Sequence, residues 1–416
     1  MRMVGALRTK WRDKVMAGWV LSRVLLVVIL LVPVYLRLGI LGDVKLYEEW
    51  SRILVTGHLP GDDPSWQYPP LSALVFVLPR IFGGGGVYGF MFMLGALTVD
   101  LLVLRMLMWK GRPRSGAWYW VAGIFLLGPI VYFRYDLFAT APVVLALLVI
   151  SRRRIFGTLA AVGALLKVWP VLLLLAVPRS RAAVQTIAAF AVTAALVLAI
   201  LAGTVDGAWG FLQQQEGRGL EVEALAATPF QVARSFGWQG VCRLRYGAWE
   251  LVGPGIATAA TASVVVNLVA FVLLAVAVWR HAPRRWTPAF GCDAVLAAVL
   301  VAVVTSRVLS PQYLIWLLGI GAVCAVDPRT RQRPVLVLLL VATALTQLEF
   351  PLLWSDVMAG KGVGTAVLVA RNLILVAATV LAVARVWRGP AAEAAAAPEP
   401  VRDERVEGLA LSGPGS

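Results

Sequence analysis

The sequence predicts an all-α polytopic membrane protein with about twelve transmembrane helices (eleven to thirteen). Of the 416 residues, 60% are hydrophobic and 14% are charged, and the mean hydropathy is +0.81. Soluble proteins contain about 45–50% apolar and about 25% charged residues. The apolar residues also form repeated runs of roughly 20 residues, separated by short polar loops. Because lipid offers the backbone no hydrogen bonds, such runs must be helical.

The apolar runs give the candidate transmembrane helices in chain order. They cover residues 17–39, 87–109, 118–134, 136–150, 155–178, 182–203, 255–280, 289–306, 311–326, 333–354 and 365–387. If the run at 155–178 is a hairpin, the chain crosses twelve times and both termini are cytoplasmic. We expect residues 1–387 to form one transmembrane domain, with outer loops at 40–86 and 204–254. The Ala-, Pro- and Glu-rich segment 388–416 is expected to be a disordered cytoplasmic tail.

The positive charge of the chain is distributed as in a membrane protein. The formal net charge is +16, which by itself would also suit a nucleic-acid-binding protein. The Lys and Arg residues, however, cluster between the apolar runs. These clusters lie at residues 2–14, 110–114, 151–154, 179–181, 280–285 and 329–333. Cytoplasmic loops of membrane proteins carry this excess of basic residues, so we expect no nucleic-acid partner.

Two runs fit the positive-inside rule only if they are irregular. Residues 69–83 are short for a span, and a re-entrant or interfacial helix there keeps basic residues 110–114 and 151–154 on the cytoplasmic side. If 69–83 crosses the membrane, both basic clusters lie outside. Residues 155–178 have basic residues at both ends, which favours a hairpin broken near Lys167. The alternative is one continuous helix with a proline kink.

In this topology, unusual polar residues from separate segments meet at the outer face. Ionisable groups at a membrane surface are costly, so their convergence indicates a shared site. The residues are Asp43, Tyr47, Tyr68, Arg134, Asp136, Lys167, Arg218, Glu221, Glu223, Arg307, Gln312, Tyr313, Glu349 and Arg371. Guanidinium and ammonium groups bind phosphate, a carboxylate can act as general base toward a hydroxyl, and aromatic rings can stack on sugars. The set predicts a site for an anionic amphiphile.

Simpler roles are compatible with the same residues. Lys167 and Arg307 could extend to the membrane surface with their charged ends in water. Tyr68 precedes Pro69 and could serve only the turn. Three ion pairs would also explain charges without a ligand: Arg134 with Asp136, Arg371 with Glu349, and Asp100 with Arg105. The three cysteines have no metal-ligand spacing, and we expect no disulfide framework.

The outer-face residues lie in motifs that resemble glycosyltransferase family 87. The resemblance runs from about residue 20 to 385, with the motifs in order along the chain. They are Asp43-x3-Tyr47-x2-Trp50, Gly57-x2-Pro60, Tyr68-Pro69-Pro70-Leu71, Arg134-Tyr135-Asp136, Leu166-Lys167-x-Trp169-Pro170, Arg218-Gly219-Leu220-x-Val222-Glu223, Ser310-Pro311-Gln312-Tyr313-Leu314-x-Trp316 and Arg371-Asn372. Gly61-Asp62-Asp63 replaces a Pro-Tyr-x-Asp segment common in the family, so Asp62 and Asp63 are rival carboxylates. A histidine-based site would depend on His58.

The resemblance implies a GT-C-type fold and an inverting, metal-independent transfer of a hexose, above all mannose from polyprenyl-phosphate-mannose. The acceptor would be a glycolipid or glycan on the extracytoplasmic face of a bacterial plasma membrane. Asp43 matches the general base of the family, and Lys167, Arg307 and Arg134 would bind the donor phosphate. The other substrate contacts implied are Tyr47, Tyr68, Asp136, Arg218, Glu223, Gln312 and Tyr313.

Other functions stay open at the level of sequence. An arabinofuranosyltransferase on the same scaffold would carry motifs of this kind. A lipid or sugar transporter (flippase) would show paired internal repeats and polar residues near the bilayer midplane, and the polar groups here cluster toward one face. A non-catalytic membrane subunit would leave that cluster without a role. We expect membrane lipids as partners, a monomer, and no cofactor or metal.

Overall fold

A computed structural model describes residues 2–32, 41–61, 63, 65–110, 115–204, 218–281 and 285–390, which are mostly helical. The α-helices are α1 (Arg2–Leu30), α2 (Gly42–Leu54), α3 (Ser72–Val77), α4 (Gly86–Lys110), α5 (Ser115–Leu127), α6 (Asp136–Leu148), α7 (Arg153–Leu166), α8 (Arg181–Thr204), α9 (Thr228–Arg234), α10 (Ile256–Trp279), α11 (Pro288–Thr305), α12 (Tyr313–Val326), α13 (Arg333–Gln347), α14 (Trp354–Ala359) and α15 (Gly362–Trp387). The strands are β1 (Leu220–Glu221), β2 (Val241–Arg245) and β3 (Ala248–Val252). Most of the predicted tail, from residue 391 onward, lies outside the described residues.

The helices confirm a mostly helical membrane protein. In the described part of the chain, six helices are long and apolar enough to cross a membrane. They are Gly86–Lys110, Ala183–Gly203, Ile256–Trp279, Pro288–Thr305, Arg333–Leu352 and Gly362–Trp387. Shorter apolar helices occur at Ser72–Phe82, Ser115–Leu127, Asp136–Leu148 and Tyr313–Val326. The number of twelve crossings stays a prediction.

Helix α11 lies at the centre of the bundle. Of the apolar 18-residue stretch of α11, 83% is buried inside the protein. In the corresponding stretch of α8, only 6% is buried. Helix α11 packs against α10, α12, α15 and the 3₁₀ segment Trp169–Ala176. A helix that is apolar all round belongs in a core or in lipid, so α11 is the core helix and α8 faces lipid.

Helix ends next to four of the basic clusters contact one another in pairs. The Ser115 hydroxyl donates to the carbonyl of Ala325 at 2.5 Å. The Trp286 indole donates to the carbonyl of Ala176 at 3.1 Å. Each of these four residues lies within a few positions of a run of Lys or Arg. These two contacts agree with the positive-inside rule, and the cytoplasmic position of the basic clusters stays a prediction.

The chain is broken at Lys167. Helix α7 ends at Leu166, Lys167 is extended (φ −154°, ψ 135°), and a 3₁₀ segment follows over Trp169–Ala176. A Cβ built on Gly163 would lie 3.0 Å from Cβ of Pro170, so the two arms of the break are in close contact. The 3₁₀ segment after the break ends at Ala176, three positions before Arg179. The alternative of one continuous kinked helix is therefore wrong.

The apolar run at 69–83 forms a short helix. It consists of α3 and a 3₁₀ turn, Leu78–Phe82. At about 1.5 Å per α-helical and about 2.0 Å per 3₁₀ residue, this element is about 20 Å long. A bilayer core is about 30 Å thick, so the element is too short to cross it.

A small sheet lies in the loop between α8 and α10, where the sequence predicted an outer loop of an all-α protein. Its three antiparallel strands have the order β1-β3-β2. Strands β2 and β3 are joined by Tyr246 and Gly247, which have φ values of 51° and 73°. Positive φ at both central residues is typical of a type I′ hairpin turn. The hairpin projects over the polar face of the bundle.

Asp100 joins three helices and a turn inside the bundle. Its carboxylate accepts hydrogen bonds from Nε and Nη2 of Arg23 at 2.8 and 2.9 Å. The other donors to this carboxylate are Trp19, Trp120 and Tyr132. The predicted pairing of Asp100 with Arg105 is wrong, because Arg23 on α1 occupies the carboxylate. Tyr132 belongs to the turn that leads into Arg134, so this network fixes the approach to the polar face.

Candidate active site

A cavity of about 710 Å³ opens where the broken helices and the sheet meet. Its size falls within the usual range of small-molecule sites, about 300–1,000 Å³. Almost all the predicted site residues line it. They are Asp43, Tyr68, Arg134, Asp136, Lys167, Arg218, Glu223, Arg307, Gln312 and Tyr313. Six separate segments of the chain therefore converge on one cavity, as the topology argument predicted.

Asp43 lies in the first turn of α2, and 32% of its side chain is exposed to the cavity. Nε of Arg134 lies 3.0 Å from Oδ2 of Asp43. Tyr47 lies one turn further along α2, and its side chain also lowers the pKa of Asp43. Burial in the cavity wall raises the pKa of Asp43 above its ordinary value, and the charge of Arg134 opposes that rise. Arg134 thus forms an ion pair with Asp43.

Asp136 and Lys167 form a second ion pair beside the first. Nζ of Lys167 lies 2.5 Å from Oδ1 of Asp136, and the Trp316 indole donates to the same oxygen at 2.7 Å. The other oxygen, Oδ2, has no hydrogen-bond partner within the described residues. The ammonium also lies over the rings of Tyr135, Trp316 and Tyr313 at 4.6, 4.8 and 5.1 Å. Cation–π contact and ion pairing together hold Lys167 at the break.

Tyr47 does not reach the cavity surface. It is 1% exposed, stacks on Phe76 at 4.4 Å between ring centroids, and is not among the residues that line the cavity. The direct contact of Tyr47 with a substrate stays a prediction. In this structure its ring packs against Phe76 behind the cavity wall.

Arg218 and Arg307 form the wall below the sheet. Nη1 of Arg307 donates to the carbonyl of Arg218 at 3.0 Å, and Nη2 of Arg218 donates to the carbonyl of Tyr246 at 3.0 Å. The amide of Glu221 donates to the carbonyl of Arg307 at 2.9 Å. These bonds tie the segment before α12 to the sheet. The hydrogen bonds of both guanidinium groups described here go to backbone carbonyls, so their charges are not committed to a hydrogen-bonded carboxylate.

Arg371 lies behind the cavity wall and bridges two carboxylates. Nη1 lies 3.2 Å from Oε2 of Glu223, and Nη2 lies 3.1 Å from Oε2 of Glu349. The predicted pairing with Glu349 is confirmed. Arg371 is fully buried, so it holds Glu223 in place without facing the cavity itself.

The comparison with protein families agrees with this architecture. The model of glycosyltransferase family 87 matches residues 66–311, which is more than half of the chain. The chain belongs to glycosyltransferase family 87. A search of curated proteins finds no match. The protein is thus a membrane glycosyltransferase, and its family in general uses a lipid-linked donor and a glycan acceptor. The matched region includes the Arg134–Asp136 turn, the Lys167 break, and both Arg218 and Arg307.

Asp63, one of the two rival carboxylates of this family 87 protein, does not share the position of Asp43. Asp63 accepts hydrogen bonds from the Trp50 indole at 2.7 Å and from the amide of Ser65 at 2.8 Å, and it does not line the cavity. Asp62 lies outside the described residues. His58 is exposed and is not part of the cavity lining. Within the described ranges, no group of three or more His, Cys, Asp or Glu residues converges as a metal site.

A second cavity of the glycosyltransferase has a volume of about 530 Å³ and runs along the N-terminal half of α10. Arg218 and Arg307 line both cavities and therefore form their common wall. Arg245 lies at the same end of the groove, while Val264 and Val265 are exposed at the other end. Only 22% of the apolar 18-residue stretch of α10 is buried inside the protein, so this helix faces lipid. Sequence reasoning had no signal for the groove, because it forms between the sheet and α10.

Proposed function

We propose that the protein transfers mannose from polyprenyl-phosphate-mannose to a hydroxyl group of a glycolipid or glycan, with inversion at the anomeric carbon. Asp43 is the general base, and the large cavity holds the sugar. The observation that carries this proposal is the ion pair of Asp43 with Arg134 in a cavity whose wall is formed by Arg218 and Arg307. It brings a base for the acceptor and cations for a leaving phosphate into one site.

The proposed donor fits the two cavities and their common wall. A phosphate group needs guanidinium or ammonium donors, and Arg218 and Arg307 present theirs to both cavities. A polyprenyl chain needs apolar surface in contact with lipid, which the α10 groove supplies through Val264 and Val265. The phosphate would lie at the wall, the sugar in the large cavity and the chain in the groove.

The proposed reaction is a single displacement. The acceptor oxygen attacks the anomeric carbon and gives its proton to Asp43. The bond between that carbon and the phosphate oxygen breaks, and the electron pair leaves with the phosphate. Arg134 keeps the carboxylate oriented, and its charge favours the ionised form. The ion pair of Asp136 and Lys167 lies beside the pair of Asp43 and Arg134, and its charges also act on Asp43.

We further propose the predicted topology for the enzyme. The basic loops would face the cytoplasm with both termini, and the cavity would open on the extracytoplasmic face of a bacterial plasma membrane. The scaffold would be of the GT-C type, and transfer would require no metal and one copy of the chain.

The test uses purified protein in lipid nanodiscs with radiolabelled lipid donors. We expect mannose transfer from polyprenyl-phosphate-mannose that persists with a chelator and is lost in Asp43→Asn. Glu49→Gln, an exposed carboxylate on the same helix α2, is the matched control and should retain activity. Transfer from polyprenyl-phosphate-arabinose and not from the mannose donor would show that the transferred sugar is arabinose. Movement of the donor across vesicles without transfer would establish a flippase and overturn the proposal.

A further inference from the structure

Glu221 is a buried carboxyl group of the cavity with one unused oxygen. It lies on β1, is 7% exposed and lines the large cavity. The Ser310 hydroxyl donates to Oε1 at 2.9 Å. Oε2 has no hydrogen-bond partner within the described residues. A buried oxygen without a partner is costly, so this atom is available for a ligand.

The charged groups around Glu221 come from every segment that packs against it. Arg218 precedes it on the same segment, and Glu223 follows it. Glu250 is its register partner on β3, and the Arg307 carbonyl accepts its amide hydrogen. Burial raises the pKa of Glu221 to about 7, although Arg218 opposes the rise.

The hydrogen bonds of Glu221 fit a neutral carboxylic acid. A neutral acid has one oxygen that only accepts and one hydroxyl that can donate. Here Ser310 donates to Oε1, which leaves Oε2 as the position for the proton. An ionised carboxylate at this place would repel a phosphate held by Arg218 and Arg307. A protonated one would donate to it.

We propose that Glu221 binds the donor phosphodiester as a neutral acid, with its Oε2 hydroxyl donating a hydrogen bond to a phosphate oxygen beside Arg218 and Arg307. This inference rests on the proposed lipid-phosphate donor and adds a substrate-binding residue to it. The phosphate would then be bound at this wall by two guanidinium groups and one carboxylic acid. Glu221 holds the ligand and takes no part in proton transfer at the reacting carbon.

The experiment measures equilibrium binding of farnesyl methyl phosphate to the protein in nanodiscs at pH 6 and pH 8. A diester has no second ionisation, whereas a phosphate monoester titrates near about pH 6, so the probe keeps its charge. We expect wild-type binding to weaken about tenfold from pH 6 to pH 8, because a hydrogen bond to a charged group is lost. Glu221→Gln should bind well at both values, since its amide still donates. Glu221→Ala should bind about tenfold more weakly at pH 6 and show no such pH dependence.

The control is Asp293→Asn, a buried carboxyl of helix α11 that lines neither cavity. It should retain the pH dependence of wild-type binding. If Glu221→Gln binds as weakly as Glu221→Ala, or if it keeps the wild-type pH dependence, Glu221 does not act as a neutral acid. Because the probe cannot be transferred, binding tests this residue even if the protein fails to transfer mannose. Conversely, mannose transfer with a pH-independent wild-type affinity would overturn only this inference.

Discussion

Asp43 and Arg134 form an ion pair of 3.0 Å between helix α2 and the turn that enters α6. The pair joins the first outer segment of the chain to the centre of the bundle. Beside it, Asp136 and Lys167 form a pair of 2.5 Å. A guanidinium next to a carboxylate both orients it and lowers its pKa, so Arg134 sets the pH range in which Asp43 can act as a base.

The pH dependence of transfer should report this relationship. Burial raises the pKa of Asp43 and Arg134 lowers it, so the carboxylate loses its charge, and the enzyme its base, as pH falls through the raised pKa. In Arg134→Gln the opposing charge is gone, and we expect the acidic limb of kcat/KM to move up by at least about one pH unit. Arg52→Gln, an exposed arginine on α2, is the control. An unmoved acidic limb in Arg134→Gln would show that Asp43 is not the titrating base.

The buried pair of Asp136 and Lys167 predicts a non-additive pair of mutations. Lys167→Met leaves a carboxylate that is 1% exposed without its cation, and breaking such a pair costs about 3–5 kcal/mol. Adding Asp136→Asn removes the stranded charge, so we expect the double variant to be more stable than Lys167→Met alone. Thermal or chemical unfolding in detergent measures both. Strictly additive losses would mean that the two residues are not coupled.

The long helices could be predicted closely because a single physical requirement decides them. Helix α4 covers Gly86–Lys110 where the sequence predicted 87–109, and α11 covers Pro288–Thr305 where it predicted 289–306. Lipid requires an unbroken apolar helix, and its ends coincide with polar residues. The sheet was missed although a signal existed. Val241–Arg245 and Ala248–Val252 flank a two-residue turn with glycine, which is a hairpin pattern.

The sequence predicted which residues belong to the site better than it predicted which of them pair with one another. Charge clustering at one face was sufficient to bring Asp43, Lys167 and Arg307 together. It could not assign Arg134 to Asp43, or Arg23 to Asp100, because these pairs depend on how distant segments pack. Glu221 was predicted only as one of many polar residues at the outer face. Its importance comes from an unsatisfied oxygen, which has no sequence signature.

The Asp100 network should determine the stability of the bundle. Asp100→Asn would leave the fully buried end of Arg23 with no anionic partner, and we expect a loss of about 3–5 kcal/mol in unfolding free energy. Arg105→Gln on the same helix should leave the unfolding transition unchanged, because Arg105 does not join the network. Denaturant unfolding of both variants in detergent compares them. Equal stability of Asp100→Asn and wild type would show that the network does not hold the helices together.

The α10 groove predicts a dependence on the length of the donor's lipid chain. Val265 and Val266 are both 55% exposed, but only Val265 lines the groove. In Val265→Trp the indole would fill the groove, so we expect KM for a decaprenyl donor to rise about tenfold, with kcat unchanged. The short chain of a geranyl donor would not reach this position, so its KM should stay near the wild-type value. Val266→Trp adds the same ring outside the groove and should behave as wild type with both donors. If Val265→Trp leaves the decaprenyl KM unchanged, or raises both KM values equally, the polyprenyl chain does not lie along α10.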